Sequence, residues 1–142
     1  MPTPPLVLAY GNDIYTMSMP KRNDPRLKQL RISTILGVHE VSAKPRLPKG
    51  SHYSFIPIHE KGPLWQRRPF LRAARLWKRQ RRLIIHCKAG RSRSVTLAVA
   101  LSLALGRKES ELPARAVEKY HYCLDQKRIP IGIIAQMQRI LA

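Results

Sequence analysis

What the chain lacks most is acid. Its 142 residues carry 8 Asp and Glu against 27 Lys and Arg, a formal net charge of +19. A field of that size repels cationic partners and attracts polyanions, whether nucleic acid, an anionic membrane or an acidic protein. Cysteine is nearly as scarce. Two cysteines cannot build a disulfide framework, which excludes a disulfide-stapled secreted domain and predicts an intracellular setting, cytoplasmic or nuclear. Long apolar runs are missing too. The longest, Val95 to Leu105, is interrupted by Thr96 and Ser102, so no transmembrane segment is expected. The opening residues MPTPPLVLAYGND have no basic start and no extended apolar core, and do not read as a secretory signal. His39, His52 and His121 are scattered without ligand spacing, so neither a metal nor another cofactor is expected.

What is present suits one domain over residues 1–142, since 44% hydrophobic content at this length supports a single core. Met1 to Pro5 is proline-rich and extended. Leu6 to Tyr10 reads as a first strand, closed by the turn residues Gly11-Asn12-Asp13. Asp24 and Pro25 suit the N-cap and first position of a brief helix, with Leu27 and Leu30 facing the core. Ile32 to Val38 is strand-like, and residues 39–51, with Pro45, Pro48 and Gly50, are loop. Tyr53 to Ile58 reads as a strand whose Pro57 limits its pairing to an edge or to its end. After the loop His59 to Pro63, Pro69 opens a helix to about Gln80. Phe70, Ala73, Ala74 and Trp77 give that helix a core face. Arg68, Arg72, Arg75, Arg79 and Arg82 give it a basic stripe. Leu83 to His86 is the central strand, and Ser92 to Leu105 a largely buried helix ended by Gly106. Ser110 caps a helix with Pro113 in its first turn, running to about Asp125. Arg128-Ile129-Pro130 breaks it, and Ile131 to Leu141 forms a last amphipathic helix. Strands alternating with helices predict an α/β domain, with a central, mainly parallel sheet flanked by helices.

One stretch carries specific chemistry: Leu83-Ile84-Ile85-His86-Cys87-Lys88-Ala89-Gly90-Arg91-Ser92-Arg93-Ser94. A β-branched strand runs through a short loop into a helix. That order builds an anion cradle, because loop N–H groups and the helix N-terminus converge where the helix dipole favours negative charge. Cys87 and Arg93 bound the loop. If it curls, the thiol lies at the bottom and the guanidinium can fork onto two phosphate oxygens. A structural cysteine beside a basic turn is the plain alternative, and the surrounding context weighs against it.

The string His86-Cys87-x-Ala89-Gly90-x-Ser92-Arg93-Ser94, with its strand before and helix after, resembles the signature of the dual-specificity phosphatases, within the cysteine-dependent protein tyrosine phosphatase superfamily. In element order and rough spacing the resemblance runs from Leu6 to Leu141; only the Cys87 loop is specific. It implies a metal-independent phosphatase. Cys87 would attack phosphorus to form a phosphocysteine, which water then hydrolyses. The loop from Lys88 through Ala89, Gly90, Arg91 and Ser92 to Arg93, with the Arg93 side chain, would hold the phosphoryl group. Ser94 would donate to the sulfur, and His86 would order the loop. The family's general acid is an Asp after an Ile-Pro-Val-like run. Here Ile56-Pro57-Ile58 is followed by His59-Glu60, and no Asp lies between Asp24 and Asp125. Glu60 is the carboxylate left by elimination, one methylene longer than Asp, with His59 as the alternative. A bland pairing of Glu60 with Lys61 or an arginine of the stripe is the other reading. Arg128-Ile129-Pro130-Ile131-Gly132 resembles the family's final loop near the pocket, but lacks the Asn that often follows its Pro.

The resemblance and the short chain imply a shallow pocket and phosphorylated protein substrates, both phosphotyrosine and phosphoserine/threonine. An RNA 5′-phosphatase acting on triphosphate or diphosphate ends is the alternative, with Arg68, Arg72, Arg75, Arg79 and Arg82 contacting RNA or another polyanion. A phosphoinositide phosphatase and a phosphate-binding pseudophosphatase follow. Lys88 and Arg91 would ring the pocket mouth. Cys123 is expected in the core, and Trp65 and Trp77 are expected to pack rather than to stack on a base.

Overall fold

A computed structural model of the chain describes residues 7–40, 45–59 and 64–142. Its sheet has five strands: β1 Val7–Ala9, β2 Ile14–Met17, β3 Thr34–Gly37, β4 His52–Phe55 and β5 Leu83–His86. Their order is β1-β2-β5-β3-β4. β1 and β2 pair antiparallel, and the other three pairings are parallel. The expected mainly parallel sheet is present, with β5 at its centre. All four residues of β5 are buried, as a strand covered on both faces requires, which is why Leu83-Ile84-Ile85 reads as an unbroken apolar run. β4 lies at an edge, and Pro57 follows just beyond it, where its missing N–H costs the sheet nothing.

β2 has no counterpart in the sequence reading. Ile14-Tyr15-Thr16-Met17 is short and lacks a clean polar alternation. It is a strand because it sits between two partners, and its Thr16 hydroxyl is matched by Tyr10 at 3.0 Å.

Among the described residues, five helices cover the sheet: α1 Pro25–Leu30, α2 Arg67–Gln80, α3 Arg93–Ala104, α4 Ala114–Asp125 and α5 Ile133–Leu141. α1 packs on one face, where Leu27 and Ile32 meet Met17, Ile35 and Ile84. The other four pack on the opposite face, where Phe70, Leu97, Ala116 and Met137 meet Leu36, Leu83 and Ile85. Asp24 caps α1 as expected, accepting from the Arg26 N–H at 3.0 Å. α3 ends in a full Schellman motif: the Arg107 N–H donates to the Ser102 carbonyl at 3.0 Å and the Gly106 N–H to that of Leu103 at 2.9 Å, with Gly106 at φ +84°.

β4 ends at Phe55 rather than at Ile58, and β3 covers Thr34–Gly37 rather than Ile32 to Val38. Three helix starts also differ from expectation by two residues or more. α2 begins at Arg67, two residues before Pro69, which is tolerated because first-turn N–H groups have no intrahelical partner. Ser110 does not cap α4. It lies in a separate 3-10 turn, Glu109–Glu111, and α4 starts after Pro113. The residue before a proline is pushed out of the helical region, and Leu112 is extended at φ −107°, ψ 161°. α5 starts at Ile133 rather than Ile131, because Gly132 turns the chain at φ +75°.

The parallel strands all point one way, so the segments after Met17, Gly37, Phe55 and His86 gather at one end of the sheet. Open α/β sheets place ligands there. The Val38 N–H donates to the His86 carbonyl at 2.9 Å, and the Ile58 N–H to that of Val38 at 3.1 Å, which ties three of these segments together.

Candidate active site

Cys87 is the first residue after β5 and is 2% exposed. Its Sγ accepts from the Gly90 N–H at 3.2 Å and shares a 3.2 Å hydrogen bond with the Ser94 hydroxyl. Both groups can donate to a thiolate, the form in which sulfur is nucleophilic. Ser94 is buried in the first turn of α3. No side chain caps that helix at Ser92, so its leading N–H groups are left for another acceptor.

Gly90 must be glycine on two counts. Its φ is +71°, and a Cβ there would lie 2.6 Å from the Ser18 nitrogen and 2.7 Å from the Met17 carbonyl carbon, both backbone atoms. The loop thus rests directly on the segment after β2. The Met19 N–H donates to the Lys88 carbonyl at 3.0 Å, fixing that contact. A buried ion pair holds the supporting segment in turn. Arg26 Nη2 lies 2.6 Å from Asp24 Oδ2, and Arg26 Nη1 donates to the Ser18 hydroxyl at 2.8 Å. Hydrogen bonds from Arg26 bring the Asp24 carboxyl down to about 2, so the pair stays ionised throughout the neutral range.

Lys88, Ala89 and Arg91 are exposed around the loop, Ser92 is half-buried, and Arg93 is buried. Arg93 Nη1 donates to the Ile58 carbonyl at 3.1 Å and lies 3.7 Å from Glu40 Oε1. Its Nε is buried and has no hydrogen-bond partner among the described residues. The Ile58 contact brings the following residue, His59, to this end of the sheet, where its side chain is exposed. Glu60 lies outside the described residues.

Glu40 is a carboxylate that the sequence reading passed over. Its signal is topological: it follows β3, the parallel neighbour of β5, by three residues, and so falls at the ligand-binding end. Tyr53 was hidden in a similar way. Its hydroxyl meets His86 Nε2 at 2.8 Å although β3 lies between their strands. Gly37 makes the crossing possible, since a Cβ there would sit 2.1 Å from the Tyr53 hydroxyl oxygen and 2.8 Å from His86 Nε2. The His86 ring also stacks with the rings of His39, at 5.1 Å, and Tyr53, at 5.6 Å.

Burial, and secondarily the neighbouring His39, hold His86 down at about 4, so it is neutral at pH 7 and acts as a packed strut. Its ordinary value is about 6.5, so the unfolded chain binds more protons than the folded one between roughly pH 6.5 and 4. Stability should therefore fall as pH drops through that window, by on the order of 3 kcal/mol. Urea unfolding at stepped pH checks this. His86→Gln should flatten the window, and parallel losses in both proteins would assign it to another group.

The remaining sequence candidates are dispersed. Trp65 and Trp77 are buried and pack in the core, with Trp77 Nε1 donating to Asp13 at 2.9 Å. Cys123 is buried and receives the Thr96 hydroxyl at 3.7 Å. The arginine stripe leads away from Cys87. Arg82, at its far end, donates to the Leu30 carbonyl at 3.2 Å, beside the start of β5. At 1.5 Å per residue α2 spans about 21 Å, so Arg68 lies towards the Cys87 end and Arg79 towards the opposite one. Among the described residues, no group of three or more His, Cys, Asp or Glu could hold a metal ion.

No protein-family model matches the sequence, and no curated protein does. Solved structures match nearly the whole chain. The human tyrosine phosphatase-like serine/threonine/tyrosine-interacting protein is 18% identical, with 94% of this chain and 93% of that one covered at a TM-score of 0.63. A mouse putative dual specificity phosphatase complexed with zinc tungstate is 20% identical over 97% and 87% of the two chains, with a TM-score of 0.62. PTPMT1 in complex with PI(5)P is 14% identical over 93% and 92%, with a TM-score of 0.60. At such identities the likeness is one of architecture, and by that architecture this chain has the fold of the dual-specificity phosphatases.

Proposed function

We propose that the chain is a cysteine-dependent phosphatase with Cys87 as nucleophile. The carrying observation is the placement of Cys87 Sγ between the Gly90 N–H and the Ser94 hydroxyl, in a loop that ends at Arg93. The unpartnered Arg93 Nε supports it. A buried N–H without an acceptor costs roughly 1–3 kcal/mol, and an oxygen of a bound phosphoryl group would satisfy it.

In the first step Sγ attacks phosphorus, the S–P bond forms and the P–O bond to the leaving group breaks. Glu60 supplies the proton to the leaving oxygen, with His59 as its competitor. Loop N–H groups and the Arg93 fork hold the three remaining oxygens, a preorganised field that needs no rearrangement as charge shifts. In the second step water attacks phosphorus and gives a proton to the same carboxylate. The S–P bond breaks, and Cys87 departs as a thiolate steadied by Ser94. The tyrosine phosphatase-like relative shares the fold, so the fold alone does not entail turnover. The presence of Cys87, Arg93 and Ser94 together supports it here.

Phosphorylated protein, on tyrosine and serine/threonine, is the substrate class favoured by the short chain and the fold. RNA 5′-phosphate ends are the second reading, resting on the +19 charge. The course of the stripe along α2, away from Cys87, limits how much of it one RNA end would touch. Phosphoinositides are the third reading, to which the PI(5)P complex of PTPMT1 adds support. A turnover panel decides: phosphotyrosine peptide, phosphothreonine peptide, triphosphorylated RNA and a phosphoinositide, each with Cys87→Ser as control. Peptide turnover above the other two is expected; faster RNA turnover would replace the protein reading.

The acid is tested by leaving group. Glu60→Gln should slow phosphothreonine hydrolysis by on the order of 100-fold and barely affect an aryl phosphate with a good leaving group. The same pattern from His59→Ala instead would transfer the role to His59. Glu40→Gln should slow both substrates alike, because Glu40 acts through Arg93.

A further inference from the structure

Among the described residues, four large apolar side chains are exposed: Leu64 at 60%, Tyr122 at 51%, Leu124 at 45% and Ile131 at 90%. Leu64, Leu124 and Ile131 converge on one groove of about 880 Å³, between the start of α2, the end of α4 and the loop before α5. Tyr120, Ile129 and Ile133 form its apolar floor, Arg67 and Lys127 stand on its rim, and none of the described Asp or Glu residues lines it. Asp125 is the nearest acidic residue along the chain. Arg67 Nη1 donates to the Ile131 carbonyl and to Gln136 Oε1, both at 2.7 Å. Both acceptors are neutral, so the bonds fix the loop without cancelling the charge.

The groove opens at the same end of the molecule as Cys87. Thr96, in the first turn of α3, contacts Cys123, in the last turn of α4. The Trp65 N–H donates to the Arg128 carbonyl at 2.8 Å, which binds the segment before α2 to the loop before α5. Ile58, whose carbonyl holds Arg93, packs in the same core as Ile129.

Exposed apolar side chains gathered at one groove, rather than scattered singly, mark an interaction surface. Its partner must be apolar, to take Ile131 and the two leucines. It must also be negatively charged, because the rim and the whole chain are cationic. A nucleic acid meets the second demand and not the first. A lipid surface with anionic headgroups meets both: side chains enter the acyl boundary while Arg67 and Lys127 stay at the phosphates. No helix among the described residues is long and apolar enough to cross a membrane. We infer that this face docks on an anionic membrane, with Ile131, Leu64 and Leu124 inserted. Docking of this kind would hold the Cys87 end towards the headgroups, and it stands independently of the phosphatase reading.

Vesicle co-sedimentation tests it. The full chain should pellet with vesicles of phosphatidylcholine and phosphatidylserine, and not with phosphatidylcholine alone. Ile131→Ser changes no charge, yet should weaken binding on the order of tenfold or more, and Leu124→Ser should act in the same direction. Lys127→Glu should weaken binding and reduce its salt dependence. Far-UV circular dichroism and the thermal midpoint establish that each variant is folded. Two results would overturn the inference. Wild-type affinity in both serine variants would mean plain electrostatic adhesion. Absence of vesicle binding, together with Ile131-dependent binding of an acidic, leucine-rich peptide, would make the groove a protein site.

Discussion

Cys87→Ser should abolish turnover of an aryl phosphate and leave tungstate binding intact. Serine keeps the shape of the residue and can still receive the Gly90 N–H and meet Ser94, so the loop should not change. What is lost is the attacking atom. A hydroxyl at neutral pH is a far weaker nucleophile than a thiolate, and no base is in place among its contacts to activate it. Removing the nucleophile from a covalent mechanism costs on the order of 10⁴-fold or more. Steady-state assay with a chromogenic aryl phosphate reads the first half of the result. Calorimetric titration with tungstate, a stand-in for the phosphoryl group, reads the second. Undiminished turnover in the serine variant would end the proposed chemistry. Loss of turnover together with tungstate binding would mean that the substitution had disturbed the loop, and Gly90→Ala, which collides with Met17 and Ser18, would then show what a disturbed loop does.

Arg93→Lys should lower kcat by about 10²–10³-fold, with a smaller change in KM. Lysine keeps the charge and most of the length. It loses the planar fork, and with it the ability to hold the Ile58 carbonyl while offering further donors to an oxyanion. In the structure Nη1 is already engaged by Ile58 and faces Glu40, while Nε has no partner among the described residues. That division of labour, one end anchored and one donor free, is available to a guanidinium and not to an ammonium group. Since the geometry matters most as charge builds in the transition state, the loss falls on kcat. A lysine variant with near-normal kcat would show that charge alone suffices. Urea unfolding should accompany the assay, because the Ile58 carbonyl loses its donor in either case.

How much of this is legible in the residues depends on how local each feature is. The unbroken apolar run of β5 and the helix after it announce themselves, because both follow from burial patterns within a few residues. The Asp24-Pro25 helix start and the glycine end of α3 are equally local. β2 is not. Four residues without alternation become a strand through pairing with distant β5, and no window centred on them contains that partner. The candidate site divides along the same line. Cys87, Arg93 and Ser94 are spelled out together. Glu40 and the Tyr53–His86 contact across Gly37 depend on the register of three strands, which the order of elements suggests and does not determine. Ser110 is an instructive error: it has the chemistry of a cap, yet Pro113 sets the helix start by excluding helical geometry at Leu112.

The seating of Gly90 on Met17 and Ser18, with Lys88 tied to Met19, makes the site a non-local object. A fragment from Leu83 to Ala104 would carry every letter of the signature and none of its floor. The loop reaches its working shape only when the two ends of a long chain closure have met, so it belongs with the slow, topology-limited events of folding rather than with helix formation. Grafting the signature onto another strand–helix pair would transfer the thiol and the arginine without the surface that bends the loop around them.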